Sequence, residues 1–229
     1  MTIPPEEHAY PFWGYEDLGL FIGAVLPVLA AAALLVRAAG LSSKDARTLV
    51  YQFVFYALML GTLYLVISFR YRRPFWSSLK WTLRFRGTWM LAGPALAVGL
   101  ILLGAMLRAP SVSSPLENLL SDRRALIFTA LFVVFFGPAW EELLFRGFLL
   151  PLLTRTLGVW PGIIVTAIPF ALLHGAQSQW TWQNLAVIGI AGIAFGFVRC
   201  KTGSTIASTA VHGGYNLTLL AGYLLQRSG

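Results

Sequence analysis

The sequence predicts an all-α membrane protein, a polytopic bundle of seven to eight transmembrane helices. Of its 229 residues, 57% are hydrophobic and only 11% are charged, and the mean hydropathy is +0.71. Soluble domains carry roughly 25% charged residues, so a water-soluble fold would have to bury more apolar surface than its volume allows. The composition therefore excludes an ordinary soluble domain and favours a chain that crosses the bilayer several times.

Seven apolar segments follow one another along the chain, most of them near the ~20 residues that a helix needs to cross hydrocarbon. They cover approximately residues 18–36, 49–69, 88–107, 125–153, 159–174, 185–198 and 205–225. An eighth crossing arises if Gly137 and Pro138 break the fourth segment, because proline cannot continue the helical hydrogen bonding. Since no repeat or linker interrupts the chain, we predict a single membrane-embedded domain, 1–229, with N-terminal helices at 18–107 and a motif-bearing core at 125–225.

The chain is basic, with a formal net charge of +8 and a pI near 10.1. In the stretch 70–86 basic residues alternate with aromatic ones, a pattern typical of a segment that lies in the membrane interface on anionic lipid. A cytoplasmic loop that only obeys the positive-inside rule explains the same residues, and both interpretations place the N-terminus in the cytoplasm. We therefore expect the lipid bilayer as a partner and no nucleic acid, and the oligomeric state is left open.

Residue usage points to the plasma membrane of a bacterium. Fourteen arginines stand against three lysines, as is typical of GC-rich bacterial genomes. Four acidic residues among the first 18 positions, without a basic start, argue against a cleavable signal peptide, so we expect the first apolar segment to remain as an anchor. The single cysteine, Cys200, excludes an internal disulfide.

Two adjacent acids interrupt the fourth apolar segment. Glu142 is followed four residues later by Arg146, so on a helix the two side chains share a face and can form an ion pair. Glu141 points about 100° away from that face. A structural charge cluster would explain the pair alone. A second carboxylate in hydrocarbon costs a few kcal/mol more, and Glu141 therefore requires another partner, a proton or a function.

Two of the three histidines also lie in apolar segments. His174 ends the fifth segment, and His212 lies inside the seventh with Asn216 four residues later on the same helical face. Each of them could simply bond a neighbouring helix. Together with Glu141 they supply a base, two imidazoles and an amide donor, which suits the hydrolysis of an amide bond. The polar residues 177–179, next to His174, are expected to mark a mouth through which water enters.

Three motifs stand in order on apolar segments: Glu141-Glu142-xxx-Arg146, Phe170-xxx-His174 and His212-xxx-Asn216. They resemble those of the CPBP family, which comprises CAAX prenyl endopeptidases of the Ras-converting-enzyme type and bacterial relatives in bacteriocin processing or immunity. The motifs span about a third of the chain. The resemblance implies an intramembrane endopeptidase acting on a peptide or lipidated protein substrate, with Glu142 and Arg146 supporting the site.

By position, the resemblance implies that Glu141 activates a water molecule and that His174 assists it. His212 with Asn216 would stabilise the oxyanion. Members of the family are commonly labelled metalloproteases, yet the HExxH spacing of a zinc helix is absent here. Zinc bound by Glu141, His174 and His212 would need ligands from three separate helices, which is chemically possible. We prefer the water activated by glutamate, which requires no cofactor, and keep zinc as the alternative.

A different class of function uses the same residues. Buried acids and histidines also relay protons or bind a cation in transporters. A non-enzymatic transporter or cation-binding protein, with ion-coupled flux and no peptidase activity, is therefore the alternative to the endopeptidase.

Overall fold

The computed structural model describes residues 10–111 and 123–228. The chain divides into two compact units, residues 1–78 and 79–229. The described residues form helices joined by turns and short loops, and no strand occurs among them, which confirms the predicted all-α class. The single domain of 1–229 stays a prediction.

Each unit contains apolar helices in close succession. The described part of the first unit contains α1 (Tyr15–Gly23), α2 (Val25–Ala38), α3 (Lys44–Tyr64) with a π-helical continuation (Leu65–Arg70), and α4 (Phe75–Ser78). The described part of the second unit contains a 3-10 helix (Gly87–Leu91), α5 (Ala92–Met106), α6 (Arg123–Leu131), α7 (Gly137–Glu142), α8 (Leu150–Leu157), α9 (Val159–Leu173), α10 (Trp182–Thr202) and α11 (Thr205–Ser228). Two further π-helices, Phe132–Phe136 and Leu143–Leu149, join α6 to α7 and α7 to α8.

Several of these helices are long and apolar enough to span a membrane. In the described part of the chain there are five: Tyr15–Ala38, Ala46–Arg70, Gly87–Met106, Leu126–Leu157 and Trp182–Thr202. Helix α9 is apolar but shorter, and α11 is not among the five. The chain is thus an integral membrane helical protein, and the count of seven to eight crossings stays a prediction.

The first unit contains a buried carboxylate with several partners. Asp17, in the first turn of α1, accepts hydrogen bonds from the Gly14 N–H at 2.9 Å and the Tyr71 hydroxyl at 2.6 Å. Its other oxygen lies 3.3 Å from Nε of Arg70. Burial, together with the adjacent Asp17, raises the pKa of the Tyr71 hydroxyl. These contacts connect the beginning of α1 to the chain that follows α3 and offset the cost of burying the charge.

In the basic and aromatic stretch 70–86, Arg70 ends the π-helix, and α4 is the helix within the rest of the stretch. Its arginines are exposed in both units: Arg72 and Arg73 in the first, Arg84 and Arg86 in the second. Exposed cations fit both the interfacial segment and the plain cytoplasmic loop, so its position on lipid stays a prediction.

The fourth apolar segment continues through Gly137 and Pro138 instead of breaking there. Pro138 lies in the first turn of α7, which follows a π-helix directly, so its missing N–H leaves a backbone carbonyl of the preceding turn without an intrahelical donor. The preceding π-helix widens the turn, and π-turns of this kind are frequent at functional sites. A Cβ atom on Gly137 would lie 3.1 Å from the Phe132 carbonyl oxygen. There is therefore little room for a side chain at this position.

Small residues bring α10 close to α9. A Cβ atom on Gly192 would lie 3.0 Å from the Phe170 ring, and one on Gly196 would lie 3.1 Å from Ile163. Close approach of this kind is how glycine serves membrane helices, because backbones can then touch. It places Phe170, near the end of α9, directly against α10.

The beginning of α11 is held by the loop that precedes the 3-10 helix. The Thr205 N–H donates to the Lys80 carbonyl at 2.9 Å, and the Thr205 hydroxyl donates to the Leu79 carbonyl at 2.6 Å. These bonds satisfy groups at the helix start that have no intrahelical partner. They also fix the position of His212, which lies two turns further along α11.

Candidate active site

Glu141 and Glu142 end α7, the short α-helix between two π-helices, and their side chains have different environments. Glu142 is fully buried, whereas the Glu141 side chain retains 16% of its exposure. Adjacent residues on a helix point in directions about 100° apart, which separates the two carboxylates as the sequence predicted. One acid therefore faces the interior of the bundle and the other a partly open space.

Glu142 forms the ion pair that its spacing predicted. Arg146 Nη1 donates to Glu142 Oε1 at 2.9 Å, and both side chains are fully buried. Arg146 Nη2 donates to the Gly192 carbonyl at 2.6 Å, which ties the pair to α10. The guanidinium carbon lies 4.4 Å from the ring centre of Phe170 and 5.4 Å from that of Phe195, a distance range in which aromatic rings stabilise cations. Among the described residues, Nη1 and Nη2 of Arg146 thus have hydrogen-bond partners, whereas its Nε has none.

His174 stands at the C-terminal cap of α9, where the helix gives way to a tight turn. Its Nδ1 lies 2.8 Å from the Phe170 carbonyl oxygen, and its Nε2 lies 3.9 Å from Glu141 Oε2. The polar residues predicted to form a mouth follow directly: Gln177 and Gln179 are exposed, and Ser178 is buried with its hydroxyl on the Gly175 carbonyl. Ser178 therefore stabilises the turn, and the water path stays a prediction.

His212 bridges the two glutamates. Its Nδ1 lies 3.1 Å from Glu142 Oε1, and its Nε2 lies 3.9 Å from Glu141 Oε2. This is the same Glu141 oxygen that faces His174, so the Nε2 atoms of both imidazoles converge on one carboxylate oxygen. At 3.9 Å neither contact is a direct hydrogen bond. A molecule that bonds more than one of these atoms would lie to the side of the lines that join them.

The partners of the two Nδ1 atoms determine where the protons lie in the neutral rings. The Phe170 carbonyl can only accept, so Nδ1 of His174 carries the hydrogen and donates it. The same holds for His212 opposite the Glu142 carboxylate. Each neutral imidazole then turns an unprotonated Nε2 towards Glu141. Three acceptors that converge in this way require a hydrogen-bond donor, such as water, or a cation between them.

The side-chain amide of Asn216 is already bonded to the backbone. Its Nδ2 donates to the Val133 carbonyl at 2.8 Å. Val133 belongs to the π-helix Phe132–Phe136, so the bond satisfies a backbone carbonyl in the irregular turn. One hydrogen of the amide group remains for another acceptor. Asn216, one turn after His212 on α11, thus holds the turn that leads to Glu141.

Gly213 lets α11 approach the same π-helix. A Cβ atom on Gly213 would lie 2.6 Å from the Val134 carbonyl oxygen, closer than real contacts of this kind. We expect Gly213→Ala to force the two helices apart, to lower the free energy of unfolding by about 1–3 kcal/mol and to weaken the Asn216 bond. Thermal unfolding in detergent measures the loss. Gly222→Ala, on the same helix with no atom near its Cβ position, is the matched control, and equal stability of the two variants would contradict this packing.

The positions of Glu141, His174 and His212 also indicate whether they could bind zinc. Across the described residues, no group of three or more His, Cys, Asp or Glu side chains is arranged to hold a metal ion. The Nδ1 bonds of His174 and His212, to a carbonyl and a carboxylate, are nevertheless the outer contacts that metal-binding histidines use. The set Glu141, His174 and His212 is therefore where zinc would bind, and the metal stays an untested alternative.

Some contributors to the site were missed by reasoning from the sequence. The Gly192 carbonyl and the Phe195 ring contact Arg146 or His212 but lie in none of the motifs. Phe170 was recognised only as a motif position, whereas its carbonyl orients His174 and its ring lies under Arg146. A phenylalanine or a glycine in an apolar helix carries no signal that distinguishes it from its neighbours.

Comparison with protein families identifies the region that contains these side chains. Residues 123–218 match the model described as "Type II CAAX prenyl endopeptidase Rce1-like". This region is similar to the Rce1-like family. The match confirms the resemblance drawn from the three motifs, because all the candidate site residues lie within it.

The Rce1-like region covers less than half of the chain and leaves the first unit outside it. The match is thus a similarity of this one region to a CAAX endopeptidase family, in a chain with several apolar helices long enough to span a membrane. Comparison with curated proteins gave no match, and comparison with solved structures gave none either.

Proposed function

We propose that the protein hydrolyses a peptide bond of a CAAX-type or related membrane-associated substrate, using a water molecule activated by Glu141. The observation that carries this proposal is the convergence of two Nε2 atoms on one carboxylate oxygen, each at 3.9 Å. A water molecule in that space can donate one hydrogen to Glu141 and the other to an imidazole. It is then held with its oxygen lone pairs directed at a substrate carbonyl.

The proposed reaction proceeds in two steps. Glu141 removes a proton from the water as its oxygen bonds to the carbonyl carbon, and His174 Nε2 holds the second hydrogen. The carbon–nitrogen bond then breaks, and the proton held by Glu141 passes to the leaving amine. One water is consumed, and one carboxylic acid and one amine are released.

The negative charge on the carbonyl oxygen also needs donors. Asn216 retains one amide hydrogen after its bond to Val133. His212 can donate from Nε2 only as the imidazolium, so in this step it takes up a proton from solvent before the attack and keeps it throughout, with Glu142 at 3.1 Å from Nδ1 as its counter-ion. We propose that these two residues stabilise the oxyanion, and that the buried Arg146 keeps Glu142 ionised and in position.

We also propose the substrate's route and the protein's location. A peptide or a lipidated protein would enter from the lipid bilayer, and the excess of arginine over lysine supports the plasma membrane of a bacterium. The experiment is to reconstitute the chain in lipid vesicles with prenylated and unprenylated CAAX peptides and to measure the products by mass spectrometry. New peptide C-termini support the proposal, whereas proton or cation flux without cleavage would support the transporter.

Removal of metal separates the two catalytic mechanisms. We expect a strong chelator to leave the rate of cleavage within about twofold of its starting value, because a carboxylate that itself activates the water needs no Lewis acid. Metal analysis of the purified protein accompanies the assay. Stoichiometric zinc, together with activity that is lost on chelation and restored by zinc, would overturn the glutamate mechanism.

A further inference from the structure

Phe195 lies outside the three motifs but inside the site that they form. It is on α10 and is fully buried. Its ring centre lies 4.4 Å from that of His212, and the two ring planes differ by only 19°. The imidazole therefore rests flat on the phenyl ring.

The phenyl ring is itself held from several directions. Tyr215 meets it at 5.9 Å and 74°, and Phe170 meets it at 6.2 Å and 88°, both in the edge-to-face geometry that aromatic pairs favour. The Arg146 guanidinium carbon lies 5.4 Å from the ring centre. Phe195 is thus a fixed flat surface rather than a mobile neighbour.

His212 needs such a surface because its bond to Glu142 fixes only one ring atom. Rotation of the imidazole about that contact would still move Nε2 relative to Glu141. In the proposed function Nε2 must face the oxyanion while it lies 3.9 Å from Glu141 Oε2, so a small rotation misdirects this nitrogen. A parallel ring face restricts this rotation, which a branched aliphatic side chain of similar volume cannot do.

Resting on the proposed function, we propose that Phe195 is a positioning residue that sets the plane of the His212 imidazole for catalysis. It touches neither substrate nor water in this role and acts only through His212. Phe197 provides the matched comparison, because it is on the same helix and also stacks on an aromatic ring, Trp160, at 5.9 Å and 19°.

The first arm of the test reads the imidazole directly and does not require activity. The full chain, labelled with ¹⁵N-histidine in detergent micelles, contains only three histidines, and His212→Ala assigns the signal of interest. Phe195→Leu should broaden the His212 Nε2 signal through exchange between ring orientations while the Nδ1–H signal persists, whereas Phe195→Tyr and Phe197→Leu should not broaden it. Unchanged His212 signals in Phe195→Leu, or equal changes in Phe197→Leu, would overturn the proposal. If Phe195→Leu does not fold, Phe195→Met takes its place.

The second arm measures cleavage by the same variants. We expect Phe195→Leu to lower kcat about 10- to 100-fold with KM nearly unchanged, the size of effect that a misplaced group produces. In a His212→Ala background, Phe195→Leu should not lower kcat any further, because two substitutions that act through the same residue do not have additive effects. A full additional loss there, or unchanged kcat in Phe195→Leu alone, would contradict the role. Absence of cleavage by the unmodified protein would defeat the proposed function, and the spectra would still decide the role of Phe195.

Discussion

Replacing Glu141 with glutamine is expected to abolish peptide cleavage while the protein still inserts and folds. The amide is nearly isosteric with the carboxylate but cannot accept the proton of the attacking water. Loss of a general base alone costs about 10²- to 10⁴-fold in rate. Folding should survive because the buried ion pair uses Glu142 instead. Cleavage in vesicles and thermal unfolding of the same preparation measure the two properties separately.

The matched control for this variant is Glu16→Gln. Its side chain is 88% exposed and lies in the first unit, so the charge change is the same but the site is untouched. We expect the control to cleave at the normal rate. Full activity of Glu141→Gln would remove Glu141 from the mechanism, and the alanine variant should agree with the glutamine variant.

Replacing Arg146 with methionine is expected to cause the largest loss of stability. The change leaves the Glu142 charge without its partner and the Gly192 carbonyl without its donor, in a fully buried place. Breaking a buried ion pair from one side costs about 3–5 kcal/mol of unfolding free energy. Unfolding by heat or denaturant in detergent measures it, and Arg84→Met, at an exposed position of the same unit, should leave stability unchanged.

The double variant Glu142→Leu with Arg146→Met separates stability from activity. Because apolar replacement of a buried pair is often neutral, we expect much of the lost stability to return. Cleavage should not return, since His212 would have lost the acceptor for its Nδ1. A double variant that folds and cleaves normally would show that the pair has no part in positioning His212.

The local parts of the site could be predicted because helix geometry is the same everywhere. A separation of four residues predicted the Glu142–Arg146 pair, and the 100° step predicted that Glu141 would face elsewhere. The apolar composition likewise predicted membrane helices. Their ends were less certain: the sixth segment, predicted at 185–198, extends as a helix over Trp182–Thr202, because polar residues at the interface interrupt the hydropathy but not the hydrogen bonding.

The parts that depend on contacts between helices could not be derived from the residues alone. The convergence of Glu141, His174 and His212 was suggested by the family resemblance, not by any periodicity. The donation from Asn216 to the Val133 carbonyl depends on a π-turn, which has no sequence signature in an apolar helix. Phe195 was missed for a related reason. In a membrane helix both faces are apolar, so hydrophobicity does not reveal which phenylalanine contacts the site.

A crystal structure of the purified protein, with anomalous data at the zinc edge, tests the central claim most directly. We expect a water molecule next to Glu141 Oε2 and the Nε2 atoms of His174 and His212. It should appear as a peak without anomalous signal at about 2.7–3.0 Å from the acceptors that it contacts. An anomalous peak at about 2.0–2.2 Å from all three side chains would show zinc there instead and contradict the glutamate-activated water.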